Sequence, residues 1–168
     1  EELAGIESID LKGLDSRLQE IEIKVACDVT NPLYGPEGAA YVYAPQKGAN
    51  PEMVQELDAN LRHFADVISQ ELGKQVQNIP GAGAAGGLGA GLVAFLGAEL
   101  KKGIEIVLEA NNFRDKLEGV DLVITGEGKL DRQTTNGKTP IGVAKAAKKY
   151  NIPVIAIAGN VFDDADKL

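Results

Sequence analysis

Asp121-Leu122-Val123-Ile124-Thr125, followed by Gly126-Glu127-Gly128-Lys129-Leu130-Asp131, decides the fold. The first five residues are nearly continuously apolar, the pattern of a strand buried inside a parallel sheet. The long polar stretch to Lys138 stands at the carboxyl end of that strand, where open α/β sheets bind their ligands. Thr139-Pro140 caps and opens a helix that ends near Tyr150-Asn151. Pro153 to Ala158 then reads as a second buried strand. Strand, helix and strand in succession predict an α/β fold, with parallel or mixed sheet layers and flanking helices.

Upstream, the clearest element is a helix from about Pro51 to Leu72. Asn50 suits its N-cap, Pro51 its first position and Gly73 its stop. Val54, Leu57, Leu61, Phe64, Ile68 and Leu72 form one apolar stripe. His63, the single histidine, falls on the opposite face and is expected in solvent. Ile21 to Cys27 alternates apolar and polar residues, as a strand does, and Ala40 to Ala44 reads as a short strand. Ile9 to Leu18 reads as a loop with one helical turn. Lys101 and Lys102 before Gly103 resemble the end of a helix that starts after the glycine run. Ile104 to Leu108 is expected as a strand and Asn112 to Leu117 as a short helix. A boundary near Glu118 to Asp121 divides the chain into residues 1–118, a glycine-rich partial domain, and residues 119–168, part of a second α/β domain.

The chain has 168 residues and a formal net charge of −8, which disfavours a nucleic-acid or anionic-membrane surface. No apolar run approaches the roughly 20 residues that span a bilayer. One cysteine, Cys27, allows no internal disulfide and makes a reducing, cytoplasmic setting the simplest expectation. Glu1 in place of Met suggests a segment of a longer protein, and an oligomer of the chain stays open.

Three segments have the makings of a site. Gly81, Gly83, Gly86, Gly87 and Gly89 precede an apolar helix, so their N–H groups can approach an anion beside a helix N-terminus. The bland alternative is a helix that uses Gly and Ala to pack closely on a neighbour. Gly126 to Lys138 carries Glu127, Lys129, Asp131, Arg132 and Lys138, more charge than a connector needs. Its Gly137-Lys138-Thr139 is similar to the end of a Walker A motif, but Arg132 stands where that motif needs its first glycine. A solvated loop with a capped helix behind it is the alternative there. Cys27 to Gly38 offers Asp28 and Asn31 as oxygen donors for Mg²⁺ or a substrate hydroxyl, and Lys47 stands just before a helix start. Asp and Asn are equally ordinary turn formers.

The strings CDVTNPLYGPEGA, APQKGA, PGAGAAGGLGAGL and LVITGEGKLDRQTTNGKTPIGVA, in this order, resemble the type I (bacterial-type) glycerate kinases. The resemblance runs from about Ile9 to Gly159 and covers the C-terminal portion of that family's length. It implies a two-domain α/β fold and transfer of the γ-phosphoryl group of ATP to a hydroxyl of D-glycerate, with Mg²⁺. On that basis Asp131, Lys129, Glu127 and Asp28 are catalytic candidates, and Asp28 and Glu127 are candidate metal ligands. Asn31, Lys47, Gly81, Gly83, Gly86, Gly87, Gly89, Gly126, Gly128 and Lys138 are candidate substrate or nucleotide contacts. The family's N-terminal part is not in this sequence, so the segment is expected to be an incomplete catalyst.

Two other readings compete. Gly81-x-Gly83-x-x-Gly86 with Glu109 matches the fingerprint of an oxidoreductase's dinucleotide-binding domain. A non-catalytic α/β module, its glycines serving helix packing, is the third.

Overall fold

The computed structural model describes residues 2–130 and 139–161, and it is an α/β arrangement. In chain order the elements are β1 (Lys24–Ala26), α1 (Ala39–Tyr43), α2 (Pro51–Leu72), α3 (Leu88–Leu96), β2 (Glu99–Lys101), α4 (Gly103–Ala110), β3 (Val123–Leu130), α5 (Thr139–Lys148) and β4 (Val154–Val161). They fall into two compact units, Glu1–Leu100 and Lys101–Leu168. Among the described residues, no helix is long and apolar enough to cross a membrane.

In the first unit α2 is the spine. The Asn50 side chain accepts a hydrogen bond from the Met53 N–H at 2.8 Å, and Gly73 ends the helix at φ +66°. Val54, Leu61 and Ile68 of its stripe are buried with Leu33, Ala39, Ala40, Val76, Ala82, Ala90 and Ala94. Burying a side chain such as Ile68 or Leu33, both fully covered, contributes about 1.5–3 kcal/mol. Leu57, in contrast, is 39% exposed.

His63 is not a solvated side chain. It is half-buried, and its Nε2 lies 2.8 Å from the Ile6 carbonyl oxygen, tying the N-terminal segment to α2. Leu3 and Ile9 pack against the core from that segment.

Three short elements differ from expectation. Ala40 to Ala44 is helical, because Gly38 enters extended and Ala39 and Ala40 bury against the core. Ile104 to Leu108 is also helical, within α4. Its true start is Lys102-Gly103, since the preceding helix α3 stops earlier, at Gly97 with φ +64°. Asn112 to Leu117 is a turn followed by one 3-10 turn, Asp115–Leu117.

In the second unit β3 and β4 pair in parallel, from Val123 beside Val154 to Leu130 beside Val161. Helix α5 packs on both strands, and α4 packs on α5. The two helices meet closely: a Cβ on Gly142 would collide with the Ile104 side chain. β3 is longer than expected and carries Gly126 to Leu130 within the strand.

Candidate functional site

Two of the three marked segments come together in the first unit. The loop after β1 lies against the glycine run, backbone on backbone. The Gly83 N–H donates to the Asn31 carbonyl at 3.0 Å, and a Cβ on Gly83 would collide with the Pro32 carbonyl oxygen. Gly81, at φ +91°, would place its Cβ 2.7 Å from the Cys27 sulfur. Only glycine allows both the approach and that backbone conformation.

After this close contact the chain turns into α3 through three consecutive left-handed residues, Ala85 (φ 51°), Gly86 (φ 74°) and Gly87 (φ 105°). Left-handed backbone costs a residue such as Ala about 1–2 kcal/mol. Ala85 and Gly86 are exposed, whereas Gly81, Gly83, Gly87 and Gly89 are buried. The strained turn therefore faces solvent immediately ahead of a helix N-terminus.

The Asp28–Gly38 loop is held by partners that sequence reasoning missed. Asp58 of α2 is 7% exposed and accepts the Gly35 N–H at 2.6 Å. Arg62, one turn on, lies 3.7 Å from Asp58 and stacks 4.3 Å from the centre of the Tyr34 ring. The signal was present in the sequence: Asp58 follows Val54 by four residues, so it shares the buried face of α2. Asn31 is braced at both ends of its amide. Its Oδ1 accepts from the Tyr43 hydroxyl at 2.6 Å and its Nδ2 donates to the Glu37 carbonyl at 2.8 Å. Burial first, and then the neighbouring Cys27, push the Tyr43 hydroxyl above the ordinary tyrosine pKa. Asp28 is exposed, and so is Lys47, in the 3-10 turn Pro45–Lys47 ahead of α2.

In the second unit Thr125, Glu127 and Lys129 alternate with Gly126 and Gly128 along β3, so the first three share one face. Glu127 is half-buried and its Oε1 accepts the Gly128 N–H at 3.2 Å. Asp131 and Lys138 lie outside the described residues. Among the described residues, no three His, Cys, Asp or Glu side chains cluster to hold a metal ion. A groove of about 440 Å³ runs between α4 and α5, floored by Ile104, Leu108 and Ile141 and rimmed by Lys145 and Lys149.

The dinucleotide fingerprint loses its context here. It requires a strand directly before the glycines, and no regular element stands between Leu72 and Ala84. Glu109, its proposed ribose partner, lies on α4 with an ion pair to Lys101 at 3.2 Å.

Comparison with known proteins agrees with the geometry. The family model described as the glycerate kinase family matches residues 1–168. A glycerate kinase of Halalkalibacterium halodurans is 59% identical over 95% of this chain and 42% of its own length. A glycerate 2-kinase of Escherichia coli is 57% identical over 96% of this chain and 42% of its own length. A solved structure from Salmonella typhimurium LT2, described as a glycerate kinase 2, superposes with a TM-score of 0.84. It is 53% identical and is matched over 95% of this chain and 45% of its own. The α/β units and their glycine-lined loops are thus those of a kinase family acting on a small hydroxy acid. The chain belongs to the glycerate kinase family, and it spans 42% of the length of such relatives.

Proposed function

We propose that the polypeptide carrying this chain transfers the γ-phosphoryl group of ATP to a hydroxyl of D-glycerate, in a cytoplasmic setting. The observation that carries the reading is the close seating of the Asp28–Gly38 loop on the glycine run, which leaves a strained turn in front of α3. Gly81, Gly83 and Gly89 give that turn its packing. Gly86 and Gly87 are the candidate contacts for a phosphate or carboxylate oxygen at this turn, where the Gly86 N–H also donates to the Gly83 carbonyl at 3.2 Å.

Phosphoryl transfer needs positioning and charge neutralisation more than covalent chemistry. In this reading Lys47, Lys129 or Lys138 offsets the negative charge of the transferring group, and Asn31 is a contact for the substrate or nucleotide. Gly126 and Gly128 let a ligand approach the β3 backbone. Asp28 of the first unit and Glu127 of the second are separate candidates to offer hard carboxylate oxygens, the donor type that Mg²⁺ takes alongside phosphate oxygens. Bound Mg²⁺ would neutralise developing charge on the phosphoryl oxygens. Asp131 is assigned as the base that accepts the proton of the attacking hydroxyl. Replacing Asp131 by Asn in the longer enzyme is expected to lower kcat by about 100-fold or more while leaving its thermal midpoint nearly unchanged. Wild-type turnover in that variant would remove Asp131 from the mechanism.

Phosphorus NMR of D-glycerate, Mg²⁺ and ATP with the longer polypeptide tests the reading. A new phosphomonoester signal is expected, and its proton coupling separates phosphorylation at carbon 2 from carbon 3. The name of the E. coli relative favours carbon 2. No new signal from a folded polypeptide would end the kinase reading.

A further inference from the structure

Among the described residues Asp58 of α2 is the one charged side chain that is buried. Burying a carboxylate is costly unless the charge is paired and hydrogen-bonded. Here Oδ1 accepts the Gly35 N–H at 2.6 Å, a short, charge-assisted bond. Oδ2 lies 3.7 Å from the Arg62 guanidinium, which stacks over the ring of Tyr34, the residue before Gly35. Helix and loop are thus tied at two adjacent residues.

Attaching the loop to the core needs none of this. Leu33 is fully covered, its N–H donates to the Gln77 carbonyl at 3.0 Å, and Ala39 and Ala40 are buried just beyond the loop. What the carboxylate adds is the setting of one turn. Gly35 is left-handed at φ +96°, and its carbonyl accepts the Gly38 N–H at 2.8 Å. Inside that turn the Glu37 carbonyl accepts from Nδ2 of Asn31 at 2.8 Å. A line of contacts therefore runs from Asp58 through Gly35 and Glu37 to the Asn31 amide.

We propose that Asp58 is a positioning residue, which sets the Asn31 amide through the Gly35–Gly38 turn before a ligand arrives. The proposal rests on the kinase reading, in which Asn31 is a contact for the substrate or nucleotide. A contact ordered in advance leaves the ligand no loop to order. Releasing the turn lowers the fraction of molecules ready to bind, and apparent affinity falls by that fraction. The chemical step in the bound complex is left as it was, so the loss falls on KM and not on kcat.

The test is steady-state turnover of D-glycerate and Mg-ATP by the longer polypeptide and by its Asp58→Asn variant. Asparagine keeps an acceptor for the Gly35 N–H and removes the charge. KM for one of the two substrates is expected to rise about tenfold, with kcat within about twofold. A merely structural Asp58 would lower the folded fraction, and so kcat, with both KM values unchanged. That result overturns the proposal, as do constants that do not move at all. Amide exchange read by peptide mass is the second measurement. Residues 31–38 are expected to exchange about tenfold faster in the ligand-free variant, with residues 61–68 of α2 unaltered. Equal acceleration in both segments overturns the proposal. If Asp58→Asn does not fold, Arg62→Gln takes its place, at a side chain 55% exposed. Its KM is expected to rise about threefold, and an unchanged KM overturns the proposal. Turnover by the unmutated polypeptide beside a variant of unaltered KM ends this proposal and leaves the kinase reading standing. An unmutated, folded polypeptide that makes no phosphoglycerate ends both.

Discussion

At Ala85 the backbone sits at φ 51° and ψ 39°, a conformation that glycine adopts without cost. Strain relief of about 1–2 kcal/mol outweighs the entropy that an added glycine loses on folding. Ala85→Gly is therefore expected to stabilise the chain by about 0.5–1 kcal/mol, measured as a raised urea midpoint at constant slope. A midpoint that falls would mean the turn is not held left-handed in solution. Tyr43 makes a second prediction, from the sign of its shift. Its pKa in the fold lies above the unfolded value, so the folded state holds the proton more tightly. The stability it contributes is present below the unfolded pKa, about 10, and is lost as pH rises through the folded value. Tyr43→Phe should flatten that alkaline loss, and it should cost about 1 kcal/mol near neutrality through the missing bond to Asn31. A wild-type stability curve that stays level to pH about 11 would contradict the shift.

At the scale of the element, α4 and α5 meet at Gly142 with almost no spare room. Gly142→Ala is expected to destabilise the second unit by about 1–3 kcal/mol, in spite of alanine's better helix propensity. Adding Ile104→Ala should restore part of the loss, which a double-mutant cycle by thermal denaturation would show as coupling. Additive losses would put the two helices further apart. The elements also differ in how plainly the sequence announced them. α2 was legible because its stripe repeats over 22 residues between an Asn cap and a Gly stop. β3, α5 and β4 were legible because apolar runs bracket a Thr-Pro helix start. α1 and α4 were not, since five to eight residues alternating like Ala-Tyr-Val-Tyr-Ala or Ile-Glu-Ile-Val-Leu satisfy both periods. What chose helix was tertiary: Ala39 and Ala40 have a core to enter, and Ile104 has α5 to meet. In the candidate site, the glycine run and its loop could be marked by composition, whereas the brace through Asp58, Arg62 and Tyr43 depends on which helix face meets which loop.

For the molecule as a whole, burial is uneven. The core around α2 draws residues from Leu33 to Ala94, while Leu117, Val143 and Ala147 are the buried apolar side chains described in the second unit, apart from Pro140. Amide exchange in this chain is therefore expected to be slowest at Leu61, Ala65 and Ile68 and at least about tenfold faster along β3 and β4. Equal protection would show that the exposure of Ile124, Ile155 and Ile157 on these two strands does not weaken their pairing. Two close contacts, finally, differ in what could repair them. An enlarged Gly142 meets the Ile104 side chain, which a second substitution can trim. An enlarged Gly83 meets the carbonyls of Asn31 and Pro32, and a main chain cannot be trimmed. The packing of α4 on α5 can thus drift through compensating pairs, while the seam between loop and glycine run admits no second-site suppressor and can change only by being rebuilt.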